Sequence, residues 1–381
     1  MDQEIKRCTR CILPDTLSSV TFDEKGLCNH CRNYERDFLE WDRISDRIEK
    51  EFRAILKKAV SLNRPYDCLV PLSGGKDSTY ALYLCTKVYK LRTLAVTLDN
   101  GFLSGPAREN IKNALESCDA DHIFYSINIK NSRELFREFT LKTGDFCTAC
   151  MRGINYSIEM AVKNFRIPLV IKGSGRRVQY VSQIKEVSNL NTASYFANVI
   201  RGTEAGKKFS HFSAGRRRGE FIKIAGAIPD ILGISRSRTM RFMTQHIGLY
   251  DYIYKPYPEI VEIIRREMKW SDHAGSVEHL DCELHDIPFY KDTLKIPGIT
   301  AGTFHRSGLI RQGLLKREDA LRMEEEELKE KDPPAELFKY LKNSDITPEN
   351  YARAVLESDN SQYEPKYQKI VRNLYHRFRR Y

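Results

Sequence analysis

Long apolar runs are missing from this chain of 381 residues, and no stretch approaches the roughly 18 consecutive apolar side chains that a membrane-spanning helix needs. The opening residues, Met1-Asp2-Gln3-Glu4-Ile5-Lys6, contain no apolar segment of the kind a secretory signal carries. Both absences argue against membrane insertion or export and make a soluble, cytoplasmic protein the expectation. Acidic residues are in deficit: 51 Asp and Glu face 62 Lys and Arg, a net charge of +11. Such a surplus suits an anionic ligand, whether a nucleotide, a nucleotide-linked acidic sugar or RNA, and does not choose among them. Internal repeats are absent as well. Cysteine is present in quantity, ten residues in all, several in Cys-x-x-Cys pairs. In a chain this long, that pattern reads as metal ligation in a reducing compartment and not as a disulfide framework.

The length corresponds to about two or three domains. Residues 1–35 form a distinct unit with Cys8 and Cys11 in one knuckle and Cys28 and Cys31 in another, 16 residues apart. That spacing lets both pairs converge on one tetrahedral Zn²⁺, a structural site that replaces the core so small a unit cannot build. Residues 36–64 carry helical apolar periodicity (Phe38, Trp41, Ile44, Ile48, Phe52, Ile55) and read as a linking helix. Over 65–250 strands and helices alternate: a strand at 67–72, a helix at 79–89, strands at 94–98, 122–127 and 169–171, with helices between. The pattern predicts an α/β fold with a parallel, doubly wound sheet, whose ligand crevice lies at the carboxyl ends of the strands. Three loops fall at that edge: 73–78, 99–101 and 173–175. Gly202 to Glu220 is rich in glycine and basic residues and reads either as a mobile loop closing over an anion or as a solvated basic surface. Residues 251–381 form a mostly helical, highly charged region expected to serve the substrate site and assembly.

Residues 68–78, Cys-Leu-Val-Pro-Leu-Ser-Gly-Gly-Lys-Asp-Ser, run a short apolar strand into a glycine loop and a helix. Two glycines let backbone amides approach an anion, hydroxyls add donors, and the helix points its positive end at the same place. The Walker A spacing is absent. What the loop resembles is the signature of PP-loop ATP pyrophosphatases, which hold ATP with pyrophosphate as leaving group. On that reading Ser73, Gly74, Gly75 and Ser78 bind pyrophosphate, Lys76 screens phosphate charge and Asp77 holds Mg²⁺. Asp99 ends the second strand and is either a contact to nucleoside or metal or part of a plain Asn-Gly turn. Gly173 and Gly175 resemble the superfamily's second glycine loop. A second cysteine pair, Cys147 and Cys150, needs partners from elsewhere, and Cys282, His279 or His285 could supply them. Three thiolates with an open position suit zinc or an iron–sulfur cluster, and thiol count does not separate these. Asp281, His279 and His285 are the candidates for proton transfer or substrate orientation.

Taken together, Arg-Cys-Ile-Leu-Pro-Asp-Thr (10–16), Phe-Asp-Glu-Lys-Gly-Leu-Cys (22–28), the glycine loop, Thr-Leu-Asp-Asn-Gly-Phe (97–102), Cys-Thr-Ala-Cys (147–150) and Glu-His-Leu-Asp-Cys (278–282) resemble the N-acetyl sugar amidotransferases of bacterial surface-polysaccharide and flagellar-glycan pathways. The resemblance implies adenylation of an N-acetyl carbonyl oxygen and attack by ammonia to give an acetamidino group. Residue 2 is Asp and no cysteine sits in a Gly-x-Cys-x-Gly elbow, so no glutaminase is evident in the chain. The resemblance therefore implies a separate glutaminase subunit and a channel-forming subunit. The nearest alternative keeps the fold and makes the chain a tRNA sulfurtransferase, with Cys147, Cys150 and Cys282 on an iron–sulfur cluster; no recognisable RNA-binding motif supports it. A scaffold with a degenerate nucleotide site is a third reading, against which the intact loop stands.

Overall fold

Cys68, Leu69 and Val70 succeed one another without a polar break, and such a strand is stable only where both faces of its sheet are covered. The computed structural model describes residues 5–38, 41–175, 192–213, 244–253, 255–272, 281–329 and 333–365. Helices α1 (Asn29–Phe38) and α2 (Trp41–Ser61) lead into β1 (Cys68–Pro71), the middle strand of a five-stranded parallel sheet. β2 (Thr93–Asp99) and β3 (Ala120–Ser126) lie to one side, β4 (Leu169–Lys172) and β5 (Gln245–Gly248) to the other, in the order β3-β2-β1-β4-β5. Cys68 is in register with Thr93, and Leu69 with Val170. The chain moves outward from β1 to β3 and returns to the opposite flank at β4, so β1 and β4 border the topological switch point. This is the parallel, doubly wound α/β architecture the alternation predicts.

Side-chain alternation along the strands separates two cores. Cys68 and Val70 pack with Phe52 and Leu56 of α2 and with α3 (Lys76–Tyr83), α4 (Gly105–Glu116) and the helix Tyr257–Met268. Leu69, Leu94, Val96 and Val170 point the other way, against Ile158 and Ala161 of α6 (Cys147–Phe165). The first core continues through Ile264, Met268 and Trp270, past residue 250. A further core joins α5 (Ile129–Thr143) and the start of α6 to the helices Ala193–Val199, Ala335–Asn343 and Pro348–Glu357. The four N-terminal cysteines share their own apolar cluster with Ile296, Ile299 and Phe304 from the C-terminal region.

The helix after the glycine loop begins at Lys76 and passes into a π turn at Leu84–Val88. The reading of 202–220 as a loop is corrected over its first half. Glu204–Phe209 is helical, capped by Thr203, whose Oγ1 accepts from the Gly206 amide at 2.9 Å, and Ala205, Phe209 and Phe212 are buried in the α5–α6 core. Arg216, Arg217 and Arg218 lie outside the described residues. Among the described residues no helix is long and apolar enough to cross a membrane.

Candidate nucleotide loop and cysteine centres

The chain leaves β1 through Leu72 and turns at Ser73–Gly75. Gly74 has φ of +82°, and a Cβ there would stand 2.3 Å from the carbonyl oxygen of Ala107, so both conformation and space demand glycine. Hydroxyls close the loop on itself. The Ser73 amide donates to Ser78 Oγ at 3.2 Å, Ser78 Oγ donates to the Gly75 carbonyl at 3.0 Å, and Thr79 Oγ1 donates to the same oxygen at 3.0 Å. From behind, the buried indole of Trp270 donates Nε1–H to the Gly74 carbonyl at 2.9 Å. α3 starts from Gly75 with no side-chain cap, and the Gly75 amide donates to Ser73 Oγ at 3.4 Å.

Charge is set around this turn. Asp77 Oδ1 accepts from the Tyr250 hydroxyl at 2.7 Å, and its Oδ2 lies 3.4 Å from Lys76 Nζ. The ammonium of Lys76 sits 5.0 Å from the centre of the Tyr257 ring, which holds it by a cation–π contact. The second glycine loop packs onto the first. A Cβ at Gly173 would stand 2.4 Å from the Asp77 carbonyl, and one at Gly175 would stand 2.6 Å from the Tyr250 carbonyl carbon. These glycines therefore admit neighbouring backbone, a packing role that their resemblance to a phosphate loop did not disclose.

Asp99 ends β2 in a turn: its Oδ1 accepts from the Gly101 amide at 3.0 Å and its Oδ2 from Arg108 at 2.9 Å. The next residues hold the distant acid. Leu103 bridges to Cys282, the Glu283 amide donates to the Phe102 carbonyl at 2.9 Å, and the Ser104 amide to the Asp281 carbonyl at 3.4 Å. This pairing brings Asp281 beside the glycine loop, with its Oδ2 3.9 Å from where a Cβ of Gly75 would lie. His279 lies outside the described residues. Contacts of the loop that sequence reasoning missed are Tyr250, Tyr257 and Trp270, which join it through long-range packing.

The N-terminal cysteines are buried, and their four sulfurs lie within 4.8 Å of one another. Cys8 and Cys31 are 3.9 Å apart and Cys11 and Cys28 3.7 Å, far beyond a disulfide and close to the roughly 3.8 Å edge of a tetrahedron with Zn–S bonds of about 2.3 Å. The Cys28 amide donates to Cys8 Sγ at 3.2 Å, as an amide does to a thiolate. Hydrogen bonds from Cys11, Cys28 and Cys31 drive the Cys8 thiol below its ordinary value. Cys11 is lowered to about 7, chiefly by Cys28 and Cys31, with the Arg311 cation acting in the same direction. The donor set fits a tetrahedral metal such as zinc or an iron–sulfur centre.

Cys147, Cys150 and Cys282 pack against one core, and Asn100 Nδ2 donates to Cys150 Sγ at 3.0 Å. Asp145 holds the first turn of α6 by accepting from the Cys147 amide at 3.1 Å and the Thr148 hydroxyl at 2.8 Å. Burial pushes the Cys150 thiol up to about 11 and the Cys282 thiol up to about 12. Among the described residues only the N-terminal four form a set of three or more possible metal ligands this tight, so the structure gathers the second trio without closing it into a ligand shell.

No protein-family model matches the chain. Over 168 residues, 44% of its length, it is 26% identical to an uncharacterized protein, MJ1599, of Methanocaldococcus jannaschii. The match spans 58% of that protein.

Proposed function

We propose that the chain is a cytoplasmic, ATP-dependent N-acetyl sugar amidotransferase of the PP-loop type. The observation that carries this reading is the placement of Asp281, from the far C-terminal region, beside the Ser73–Ser78 loop at the switch point of the sheet. In this scheme the loop amides and Ser73 hold the pyrophosphate of ATP, Lys76 screens it, and Asp77, oriented by Tyr250, would hold Mg²⁺. The N-acetyl carbonyl oxygen attacks the α-phosphorus and pyrophosphate leaves. Ammonia then adds to the activated carbon, AMP departs with the oxygen, and loss of a proton gives the amidine. Asp281 is the group placed to orient the acetamido N–H or accept that proton. Ammonia comes from a separate glutaminase, through a channel-forming subunit.

The gathering of Cys147, Cys150 and Cys282 favours one second reading, a tRNA sulfurtransferase. A screen of AMP and pyrophosphate release against free and nucleotide-linked acidic N-acetyl sugars tests the first. AMP formation that needs sugar and ammonium, is not supported by glutamine alone, and is lost in Asp77→Asn is the expected result. AMP formation dependent on tRNA instead of sugar would transfer the assignment to the second reading, and efficient use of glutamine by the purified chain would remove the partner subunit.

A further inference from the structure

The four-cysteine unit packs against the C-terminal region through Ile296, Ile299 and Phe304 and through arginine contacts. Arg7 and Arg306 face Glu324 and Glu327: Arg306 lies 2.6 Å from Glu324 and is also paired with Glu327, while Arg7 is 3.6 Å from Glu324. These two cations and two carboxylates offset one another. Arg317 is different. Its Nε donates to the carbonyls of Cys8 and Cys11, both at 3.2 Å, its Nη2 donates to Cys8 again at 3.1 Å, and among the described residues no carboxylate pairs with it. One guanidinium is thus directed at the backbone of the first cysteine knuckle.

A zinc ion with four thiolates carries a net double negative charge, and burying it uncompensated is costly. We propose that Arg317 is an electrostatic counterpart of the metal centre, so that zinc affinity of the ribbon and docking of residues 296–329 onto it form a single linked equilibrium. Arg317 binds the carbonyls of the two cysteines in the first knuckle and fixes their loop, while Ile296, Ile299 and Phe304 bury the other side of the cluster. By linkage, metal that prefers the docked state must also strengthen docking. The inference is independent of the reaction proposed above.

Zinc affinity measured by competition with a chromophoric chelator tests it. Arg317→Met, which keeps the apolar stem, is expected to weaken zinc binding about ten- to a hundredfold, the range for residues that support metal ligands, and Arg317→Lys to recover part of the loss. Arg322→Met, altering an exposed arginine of the same C-terminal region, is expected to bind zinc as the parent does. Hydrogen exchange of the parent chain with and without zinc keeps the question open to refutation if a variant fails to fold. Exchange in 296–329 should rise on zinc removal while that in 68–99 stays constant. Parent-like zinc affinity in Arg317→Met, or unchanged exchange in 296–329, would overturn the inference.

Discussion

Gly173 shows how a residue without a side chain can be indispensable. A methyl group there would meet the Asp77 carbonyl at 2.4 Å and the Ser78 amide nitrogen at 2.7 Å, and backbone cannot swing aside as a flexible side chain does. Gly173→Ala is therefore expected to displace the start of α3, costing about 1–3 kcal/mol in urea unfolding and weakening ATP binding in a titration; parent-like values in both would contradict the packing role. Asp292 supplies a prediction in pH. It is 8% exposed, and burial pushes its carboxyl up to about 6 although Lys291 Nζ lies 3.3 Å away, with Asp145 raising it further and Lys295 opposing. The folded value lies above the unfolded value of about 3.9, so the folded state favours the protonated acid. Its contribution is fully present below about pH 4 and is lost as pH rises through about 6. Asp292→Asn, which mimics the neutral form, should gain stability relative to the parent by about 2 kcal/mol between pH 4 and 7. Parallel stability profiles for the two proteins would show that Asp292 is ionised throughout.

Among the elements, the helix Tyr257–Met268 does most to fix the glycine loop. It ends at Lys269, in the left-handed conformation, and this places Trp270 under the loop with Nε1 on the Gly74 carbonyl. Trp270→Phe preserves an aromatic filler but leaves a buried carbonyl without its donor, a loss of about 1–3 kcal/mol measurable by denaturant midpoint, and ATP affinity should fall with it. An unchanged midpoint would mean that water or another donor replaces the indole. This support was not legible in the sequence, because a tryptophan after a helix carries no sign of the distant carbonyl it will meet. The strand and glycine pair at 68–75 were legible, since local apolar runs and glycine chemistry dictate them, whereas the helix begins at Lys76, three residues before the expected start at 79. The edge strand Gln245–Gly248 was not: Ile247 is its one large apolar side chain, too few for an alternation. The π turn at Leu84–Val88 likewise left no local signal. The four N-terminal cysteines were readable from spacing alone, whereas the packing of Cys147, Cys150 and Cys282 against one core depended on tertiary placement.

At the scale of the whole molecule, two distant parts of the chain meet through the short pairing of Phe102–Ser104 with Asp281–Glu283. On one side stands the sheet edge with the glycine loop; on the other, the helix Asp286–Lys295 leads to Ile296, Ile299 and the ribbon. The Glu283 amide is the donor of the shorter of the two hydrogen bonds across this junction, 2.9 Å against 3.4 Å for the Ser104 amide. Proline at 283 would remove that donor and bias Cys282 toward extended backbone, while the Glu283 side chain, exposed and 3.9 Å from Lys339, contributes little of its own. If Asp281 serves the chemistry proposed above, Glu283→Pro should bind ATP within about twofold of the parent, because the loop and its support by Trp270 are untouched, yet lose at least about tenfold in AMP release, as expected when a positioned proton-transfer group is displaced. Glu283→Ala, which retains the amide, should behave as the parent does. Equal AMP release by the proline variant would place the reacting groups elsewhere on the sheet edge, and a parallel loss of ATP binding would make the segment part of the nucleotide site.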